Sequence, residues 1–362
     1  MSFETHGKEV SGISGKIISL QELKGKILAD YTDNILIITH INPDPDTIGS
    51  ALGLKWIFEK LNKTAYIACS DKVNERTCGF FGIMPELDMN YIESAGFTPD
   101  YIICVDAASD NQIGRYAGYY SEDVTQNKID MVIDHHYTNS FYGKETYLDE
   151  KAAATGEIIY NLARELNLEI DRVFAKNVYC AIVFDSGSFR YSSTTANTMT
   201  CAAALISTGF DFAKLNRLIF QNKSLAQVAI ERLAYNSLRL CCGGKAAFIT
   251  ITLDMKKDAG LEGTELDGIN EIAGIIAGVE VGVVIKESEP GECSDNFDYM
   301  HKREFRISLR SNDYVNVAEI AAQYGGGGHV HAAGCKVEME KKIPAKRLEE
   351  SLIEKIEKAL VL

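Results

Sequence analysis

The sequence predicts an α/β fold, with a mainly parallel sheet in an N-terminal domain and a smaller α/β domain after it. Short apolar runs typical of buried strands alternate with stretches in which apolar residues recur at helical spacing. This alternation lapses over residues 201–240, where the pattern is helical, and resumes beyond residue 241. The 362 residues also exceed what one ordinary hydrophobic core needs, so two domains are expected.

The N-terminal domain is expected over residues 20–200. Strands are predicted at residues 35–39, 65–69, 101–105 and 131–133, and helices near residues 54–61 and 158–166. The apolar residues 181–184 are interpreted as one more strand. Ligands of such sheets gather at the carboxyl ends of the strands, so the residues after each run carry the most functional information.

Residues 241–362 are expected to form the second domain, with residues 201–240 as a helical linker and a cleft between the two domains. Strands are predicted at residues 246–253 and 279–285. Phe305, Ile307 and Leu309 alternate with polar residues, which is typical of a half-buried strand. A short helix at 315–324 precedes a run of four glycines, and the polar residues 287–302 are expected to form a loop.

The composition argues against several classes of protein. A net charge of −14 and a pI of about 5.1 disfavour binding of long duplex nucleic acid, which requires a basic face. The apolar runs are far shorter than the roughly 20 residues that span a bilayer, and MSFETHGKEVSG lacks the pattern of a secretion signal. Nine scattered cysteines favour reduced thiols. We expect a cytoplasmic protein without a membrane partner, and the sequence leaves open whether it forms a homodimer.

Acids and imidazoles follow four of the apolar runs, where strands are expected to end. They are His40, Asp44 and Asp46 after the first run, then Asp106, then Asp134, His135 and His136, and finally Asp185 after residues 181–184. Taken singly, each has a simpler explanation, since Asn, Pro and Asp are common in turns and Asp46 can cap a helix. The whole set is harder to explain in that way. Five of the seven histidines lie in the segments singled out here, namely His40, His135, His136, His329 and His331.

If four of these aspartates converged, their negative charges would repel one another, and two divalent cations would cancel that charge. The four are Asp44, Asp46, Asp106 and Asp185. Mixed carboxylate and imidazole ligands suit Mn²⁺ and would accept Co²⁺, Fe²⁺ or Zn²⁺, whereas Mg²⁺ prefers oxygen alone. Two such ions about 3.5–4 Å apart can share a carboxylate, lower the pKa of a water molecule and stabilise a phosphoryl group. The residues therefore predict a centre of two divalent cations, of a kind that can act on phosphoryl groups.

The segments HINPDPDTIGS, VDAASD, IDHH and FDSGSFRY, in this order, resemble the four motifs of the DHH phosphoesterases. GGGGHVHAAG at residues 325–334, with Leu309-Arg310-Ser311 upstream, resembles the DHHA1 domain that often accompanies them. The resemblance spans roughly residues 30–340 and is closest to the stand-alone nano-RNase and pAp-phosphatase members. One departure is Pro45, where the family usually has glycine.

The resemblance implies a set of metal ligands. It implies that His40 and Asp44 hold one metal ion, that Asp46, His135 and Asp185 hold the other, and that Asp106 bridges the two. Catalysis is accordingly assigned to Asp106, His135 and His136, with His136 in contact with phosphate. Asp134 is expected to orient the two adjacent histidines.

The second domain is expected to bind the substrate. Glycines let backbone N–H groups approach an anion closely, and an arginine can contact phosphate with two hydrogen bonds or stack on a base. Alone, a glycine run is usually a flexible loop and Arg310 a surface arginine. Together they predict a binding site made of Arg310, Ser311, Gly326, Gly327, Gly328 and His329.

These features predict a hydrolase of short oligonucleotides, of the 3′-phosphate of pAp, or of both. The alternatives are a phosphodiesterase of cyclic or linear dinucleotides, a family II-type pyrophosphatase, a RecJ-type exonuclease, and a nucleotide-binding protein without activity. The glycine module argues against a pyrophosphatase, because pyrophosphate has no nucleoside to recognise. The acidic composition disfavours a long-strand exonuclease, and the presence of all six expected metal ligands argues against an inactive protein.

Overall fold

The computed structural model describes residues 15–30, 33–83, 96–123, 125–261, 266, 268–288 and 302–361. The chain forms two compact units, residues 1–222 and residues 223–362. Most of the polar loop expected at residues 287–302 lies outside the described residues.

The first unit is built on a six-stranded sheet of order β1-β6-β5-β4-β2-β3, in which every neighbouring pair runs parallel. Its strands are β1 (Lys16–Ile17), β2 (Asn34–Ile38), β3 (Thr64–Ala68), β4 (Tyr101–Val105), β5 (Met131–Asp134) and β6 (Glu145–Leu148). Both faces of β2 are buried, with Ile35 and Ile37 in one apolar cluster and Leu36 and Ile38 in another. A strand covered on both faces reads as a continuous apolar run, which is why the sequence reveals it.

Helices of the first unit pack around this sheet. They are α1 (Leu20–Leu28), α2 (Pro45–Lys60), α3 (Glu75–Phe81), α4 (Thr155–Glu165), α5 (Arg172–Asp185), α6 (Ala196–Ser207) and α7 (Phe212–Phe220), with 3₁₀ turns within Asp110–Tyr119. α2 packs very closely on α5, because a Cβ atom built at Gly49 would lie 2.6 Å from the Asn177 carbonyl oxygen. This antiparallel packing brings the first turn of α2 next to the last turn of α5.

The interpretation of residues 181–184 as a strand is wrong, since they form part of α5. Residues Asn177 through Val183 of this helix are buried without interruption. Its apolar run is therefore nearly continuous and lacks the polar face that distinguishes a helix from a buried strand. Asp185 consequently stands at the end of a helix and not at the end of a strand.

The second unit holds a mixed six-stranded sheet of order β11-β12-β10-β9-β8-β7, in which only β8 and β9 are parallel. The strands are β7 (Arg239–Cys241), β8 (Ala246–Ile251), β9 (Val281–Ser288), β10 (Lys302–Ser311), β11 (Gly327–His329) and β12 (Ala332–Glu340). The helices are α8 (Leu225–Asn236), α9 (Leu253–Asp258), α10 (Ile269–Ile272), α11 (Val317–Ala322) and α12 (Lys346–Leu360). The α/β class predicted for both parts of the chain is confirmed.

The local predictions for the second unit hold in part. Phe305, Ile307 and Leu309 are buried along β10, as their alternation with polar residues indicates. The glycine run differs from the expected loop, because its second half belongs to the edge strand β11, paired with β12. Residues 201–240 include most of α6 and all of α7 and α8, and the boundary between the units follows Asn222. In the described part of the chain, no helix combines the length and apolarity needed to cross a membrane.

Candidate metal centre

Six acidic and imidazole side chains converge at the carboxyl ends of three neighbouring strands. They are His40 after β2, Asp44 and Asp46 at the start of α2, Asp106 after β4, His135 after β5, and Asp185 at the end of α5. Because these strands are parallel, their carboxyl ends share one edge of the sheet. The structure thus brings together all six residues that the sequence analysis singled out as ligands.

Asp44 serves as the N-cap of α2, since its Oδ1 accepts hydrogen bonds from the backbone N–H groups of Asp46 and Thr47. Pro45 occupies the first helical position, where its fixed φ and missing N–H cost nothing. The departure from the family's glycine is therefore accommodated. His40 Nδ1 lies 2.7 Å from the Ile41 carbonyl oxygen, so Nε2 is directed at Asp44 Oδ1, 3.6 Å away.

Asp106 lies at the middle of the group. Its φ of +58° is in the left-handed region, which costs a residue other than glycine about 1–3 kcal/mol and persists only where the surroundings impose it. Its Oδ2 lies 3.6 Å from His40 Nε2, and its Oδ1 lies 3.6 Å from His135 Nε2. The two oxygens of one buried carboxylate therefore face two different imidazoles.

Asp46 is completely buried, and both of its carboxylate oxygens accept hydrogen bonds. Oδ1 accepts from the Ser50 hydroxyl at 2.9 Å and from the Gly156 backbone N–H at 3.0 Å, and Oδ2 accepts from the Thr155 N–H at 2.8 Å. His135 Nε2 lies 3.8 Å from Asp46 Oδ2 and 3.3 Å from Asp185 Oδ2. These contacts place the Asp46 carboxylate, at the start of α2, next to the Asp185 carboxylate, at the end of α5.

His136 belongs to a pair with Asp134, which is fully buried. His136 Nδ1 lies 2.8 Å from Asp134 Oδ1 and 3.8 Å from Asp106 Oδ1. Asn139 holds Asp134 in place, donating a hydrogen bond of 2.6 Å to Oδ2. Asp134 Oδ1 also accepts a hydrogen bond from the His135 backbone N–H at 2.8 Å, while Nδ1 of the His135 ring lies 3.2 Å from the Ala152 carbonyl oxygen.

The arrangement fits divalent cations. Three groups of side chains each bring one ligand atom per residue within 4.8 Å of one another: His40, Asp44 and Asp106; Asp46, His135 and Asp185; and Asp106, His135 and His136. Among the described residues, no partner meets the geometry of a hydrogen bond with the buried His135 Nε2, although carboxylate oxygens of Asp185, Asp106 and Asp46 lie 3.3, 3.6 and 3.8 Å from it. A buried imidazole nitrogen that faces several carboxylates without a well-formed hydrogen bond is poorly satisfied, and a metal ion held between these groups would satisfy it.

The electrostatics of these six side chains also favour divalent cations. Burial lowers the pKa of His40, but Asp106 and Asp44 outweigh it and raise that pKa to about 11. His135 likewise has a raised pKa, through Asp185, Asp106 and Asp46, in spite of its burial. Burial and the charges of Asp106 and Asp185 raise the pKa of Asp46. The carboxylates therefore favour positive charge on the neighbouring imidazoles, and divalent cations would supply that charge in place of protons.

Several polar groups that hold these ligands or Asp134 were missed in the sequence. Besides Ser50 and Asn139, they include Thr155, whose hydroxyl donates a hydrogen bond of 2.9 Å to Asp106 Oδ1, and the Gly156 N–H. Thr155 and Gly156 follow three alanines at the start of α4, where no charged side chain draws attention. The available signal was their position in the first turn of a helix that follows a strand of the sheet.

The substrate-binding residues predicted in the second unit lie around the end of β10 and on β11. Arg310 is half-buried and its Nη1 donates to the Leu309 carbonyl oxygen at 3.0 Å, while Ser311 Oγ lies 2.9 Å from His331 Nδ1. A Cβ atom at Gly326 would overlap the Gly334 carbonyl oxygen, whereas one at Gly327 would meet nothing within 4 Å. Gly328 pairs with Ala333 in the sheet. The side chain of His329 lies outside the described part of the chain.

Comparisons with known proteins place this geometry in a family. The model of the DHH family, N-terminal domain, matches residues 34–182, and that of the DHHA1 domain matches residues 235–360. The bifunctional oligoribonuclease and PAP phosphatase NrnA of Thermus thermophilus is 30% identical over 317 residues, which cover 86% of each chain. The chain belongs to the DHH family. It is a phosphoesterase, and hence a hydrolase, as the sequence predicts.

Another relative and a solved structure are also similar to this DHH protein. The protein of the same name from Bacillus subtilis is 27% identical over 310 residues, covering 84% of this chain and 90% of the relative. The crystal structure of an exopolyphosphatase-related protein from Bacteroides fragilis has a TM-score of 0.79 at 19% identity, and the match covers 95% of this chain and 97% of that one. At that identity the likeness shows the fold, and it supports both sheets described above.

Proposed function

We propose that this chain uses two divalent cations, with Mn²⁺ preferred, to hydrolyse short oligonucleotides and the 3′-phosphate of pAp. The observation that carries this proposal is the sharing of Asp106 between ligand groups, with one carboxylate oxygen facing His40 and the other facing His135. The substrate class is supported by the relatives, which are named for oligoribonuclease and PAP phosphatase activities.

In this proposal His40 and Asp44 would hold one cation, Asp46, His135 and Asp185 would hold the other, and Asp106 would serve both. The two cations would neutralise the crowded carboxylates and supply an activated water for attack on phosphorus. The identity of the ligands favours Mn²⁺, because imidazole and carboxylate occur together. Ser50, Thr155 and Gly156 keep the carboxylates in position through the hydrogen bonds described above.

His136 is proposed to contact the phosphate. Its pKa is raised, since Asp134 and Asp106 together outweigh the effect of burial. With Nδ1 engaged by Asp134, a protonated ring presents its other N–H for donation. A charged donor of this kind stabilises negative charge that develops on the phosphoryl oxygens or on the leaving oxygen.

Arg310, Ser311 and residues 326–329 are proposed to bind the part of the substrate remote from the scissile bond. A guanidinium group binds phosphate or stacks on a base, and the open space beside Gly327 leaves its backbone accessible to a ligand. Binding energy gained there would help only substrates long enough to reach it.

The test offers purified protein and Mn²⁺ several substrates in parallel: pAp, a dinucleotide, a long single-stranded oligonucleotide, cyclic di-AMP and pyrophosphate. The highest kcat/KM is expected for the dinucleotide and pAp. Preference for pyrophosphate or for the long strand would contradict the proposed substrate class, and preference for cyclic di-AMP would replace it with a cyclic-dinucleotide phosphodiesterase.

A further inference from the structure

Thr155 contacts two of the proposed ligands at once. It is the first residue of α4 and is fully buried. Its hydroxyl donates to Asp106 Oδ1 at 2.9 Å, and its backbone N–H donates to Asp46 Oδ2 at 2.8 Å. This single residue therefore links the shared carboxylate with a carboxylate that belongs to only one ligand group.

The position of Thr155 is set by helix packing. A Cβ atom at Gly156 would lie 2.5 Å from the Ala181 Cβ atom, so α4 rests directly on α5. The hydrogen bonds from the first N–H groups of α4 to Asp46 also place a carboxylate at a helix N-terminus, where negative charge is favourable. Thr155 is thus held from its backbone side, and its hydroxyl has a fixed direction.

The hydrogen bond from the Thr155 hydroxyl to Asp106 matters because a carboxylate can bind cations in more than one way. With both oxygens on one ion it is bidentate, and with one oxygen on each of two ions it is a bridge. The present orientation suits the bridge, since Oδ1 and Oδ2 face different histidines. Rotation about the Cβ–Cγ bond of Asp106 toward another mode would break the hydrogen bond from Thr155.

We propose that Thr155 is a positioning residue that keeps the Asp106 carboxylate in the bridging orientation, so that the centre holds two cations. This inference rests on the proposed two-cation function. Thr155 touches neither cation nor substrate in this account and acts only through Asp106 and Asp46.

The test compares variants that separate the hydroxyl from the shape of the side chain. Thr155→Val removes the hydroxyl and keeps the shape and the backbone N–H, whereas Thr155→Ser keeps the hydroxyl. Thr198→Val is the matched control, because Thr198 is also fully buried and its hydroxyl donates to the buried carboxylate of Glu157 at 2.7 Å. Glu157 belongs to none of the ligand groups.

Binding of Mn²⁺ is measured by titration, with the free ion followed by electron paramagnetic resonance. The wild type is expected to bind two equivalents, and Thr155→Val to bind the second equivalent about 10–100-fold more weakly. Thr155→Ser and Thr198→Val should bind both equivalents as the wild type does. The kcat for a dinucleotide should fall in parallel in Thr155→Val, with little change in KM. If circular dichroism shows that the valine variant is unfolded, Thr155→Ala removes the same hydroxyl without adding a methyl group beside the carboxylate.

Each remaining outcome is decisive. Wild-type binding of both equivalents by the folded Thr155→Val variant would overturn the inference and leave the proposed function standing. Equal weakening in Thr155→Ser or in Thr198→Val would also overturn it, because the effect would then be general loss of packing. If the wild type bound fewer than two equivalents, the proposed two-cation centre would fail, and this inference with it.

Discussion

The metal centre of the first unit and the glycine segment of the second unit (residues 325–329, with Arg310 and Ser311) are held in different ways. Asp46 and Asp106 are buried, and their carboxylates accept hydrogen bonds from α4 and α2. The glycine segment includes an edge strand, Gly327 has open space beside it, and Arg310 is half-buried. The centre is preorganised for chemistry, whereas the glycine segment leaves room for a ligand. Changes at the centre should therefore affect every substrate, and changes at the glycine segment only those with a nucleoside.

The largest effect is expected from Asp106→Ala. Removal of the shared carboxylate should lower kcat/KM by several orders of magnitude on dinucleotides and on bis-p-nitrophenyl phosphate alike, because both cations depend on it. Asp254→Ala, at an exposed acid in α9, serves as the control. A folded Asp106→Ala variant that keeps more than about a tenth of the wild-type rate would show that the carboxylate is not shared.

A smaller and selective effect is expected in the second unit. Arg310→Ala or His329→Ala should reduce kcat/KM for dinucleotides and pAp by about ten- to a hundredfold, as loss of a charge-assisted contact predicts. Bis-p-nitrophenyl phosphate has no nucleoside and should be hydrolysed almost normally. Arg306→Ala is the matched control, since Arg306 lies on the same strand and pairs with Glu304 at 3.4 Å.

Equal loss on both kinds of substrate would mean that the glycine segment supports the metal centre itself. No loss on either would make Arg310 an ordinary surface arginine. Steady-state kinetics of the three variants on the two kinds of substrate distinguish these results.

The pH dependence of Mn²⁺ binding tests the charge balance of the metal centre. In the metal-free protein the pKa of His40 is raised from 6.5 to about 11, so its protonated ring stabilises the fold fully below 6.5, and this stabilisation is lost as pH rises through 11. Ligation requires a neutral ring, so Mn²⁺ binding near neutral pH should release protons and tighten as pH rises. A weakly buffered titration with a pH indicator measures the release. Binding without proton release would contradict the charge balance described for the metal-free centre.

The smallest expected effects are on thermal stability, and they differ between the neighbouring residues Gly326 and Gly327. Gly326→Ala should lower the thermal midpoint, because its Cβ atom would overlap the Gly334 carbonyl oxygen. Gly327→Ala has open space and no positive φ, so it should leave stability unchanged or slightly improved. Thermal melts of both variants check this, and a larger loss of stability in Gly327→Ala would contradict it. If Gly327→Ala instead weakens turnover of dinucleotides, its role is in ligand approach.

Much of the first unit could be predicted from the sequence, because its central strands are covered on both faces. The run Tyr101–Val105 is a strand with the bounds expected, and Asp106 follows it as a strand-end residue. The parallel sheet then brings Asp106 and His135 to one edge. Placing these two residues together requires only that the sheet is parallel. The alternation of strands and helices along the chain indicates a parallel sheet.

Other features could not be read from the sequence, for physical reasons. Asp185 lies on a helix whose burial removes the periodicity that identifies helices. The contacts of Thr155 depend on packing between α4 and α5, and a neutral hydroxyl among small residues gives no chemical signal. Gly327 and Gly328 lie in a strand, although glycine residues weaken strands. Their pairing with Gly334 and Ala333 of β12 offsets this weakness.

The central claim is that two cations shared by Asp106 make this centre a phosphoesterase. The most direct measurement is turnover of a dinucleotide after exhaustive chelation, followed by stepwise return of Mn²⁺ or Mg²⁺. We expect activity to vanish on chelation, to return in full as the second equivalent of Mn²⁺ binds, and to recover less with Mg²⁺. Undiminished turnover after chelation, or full recovery with one equivalent, would contradict the claim.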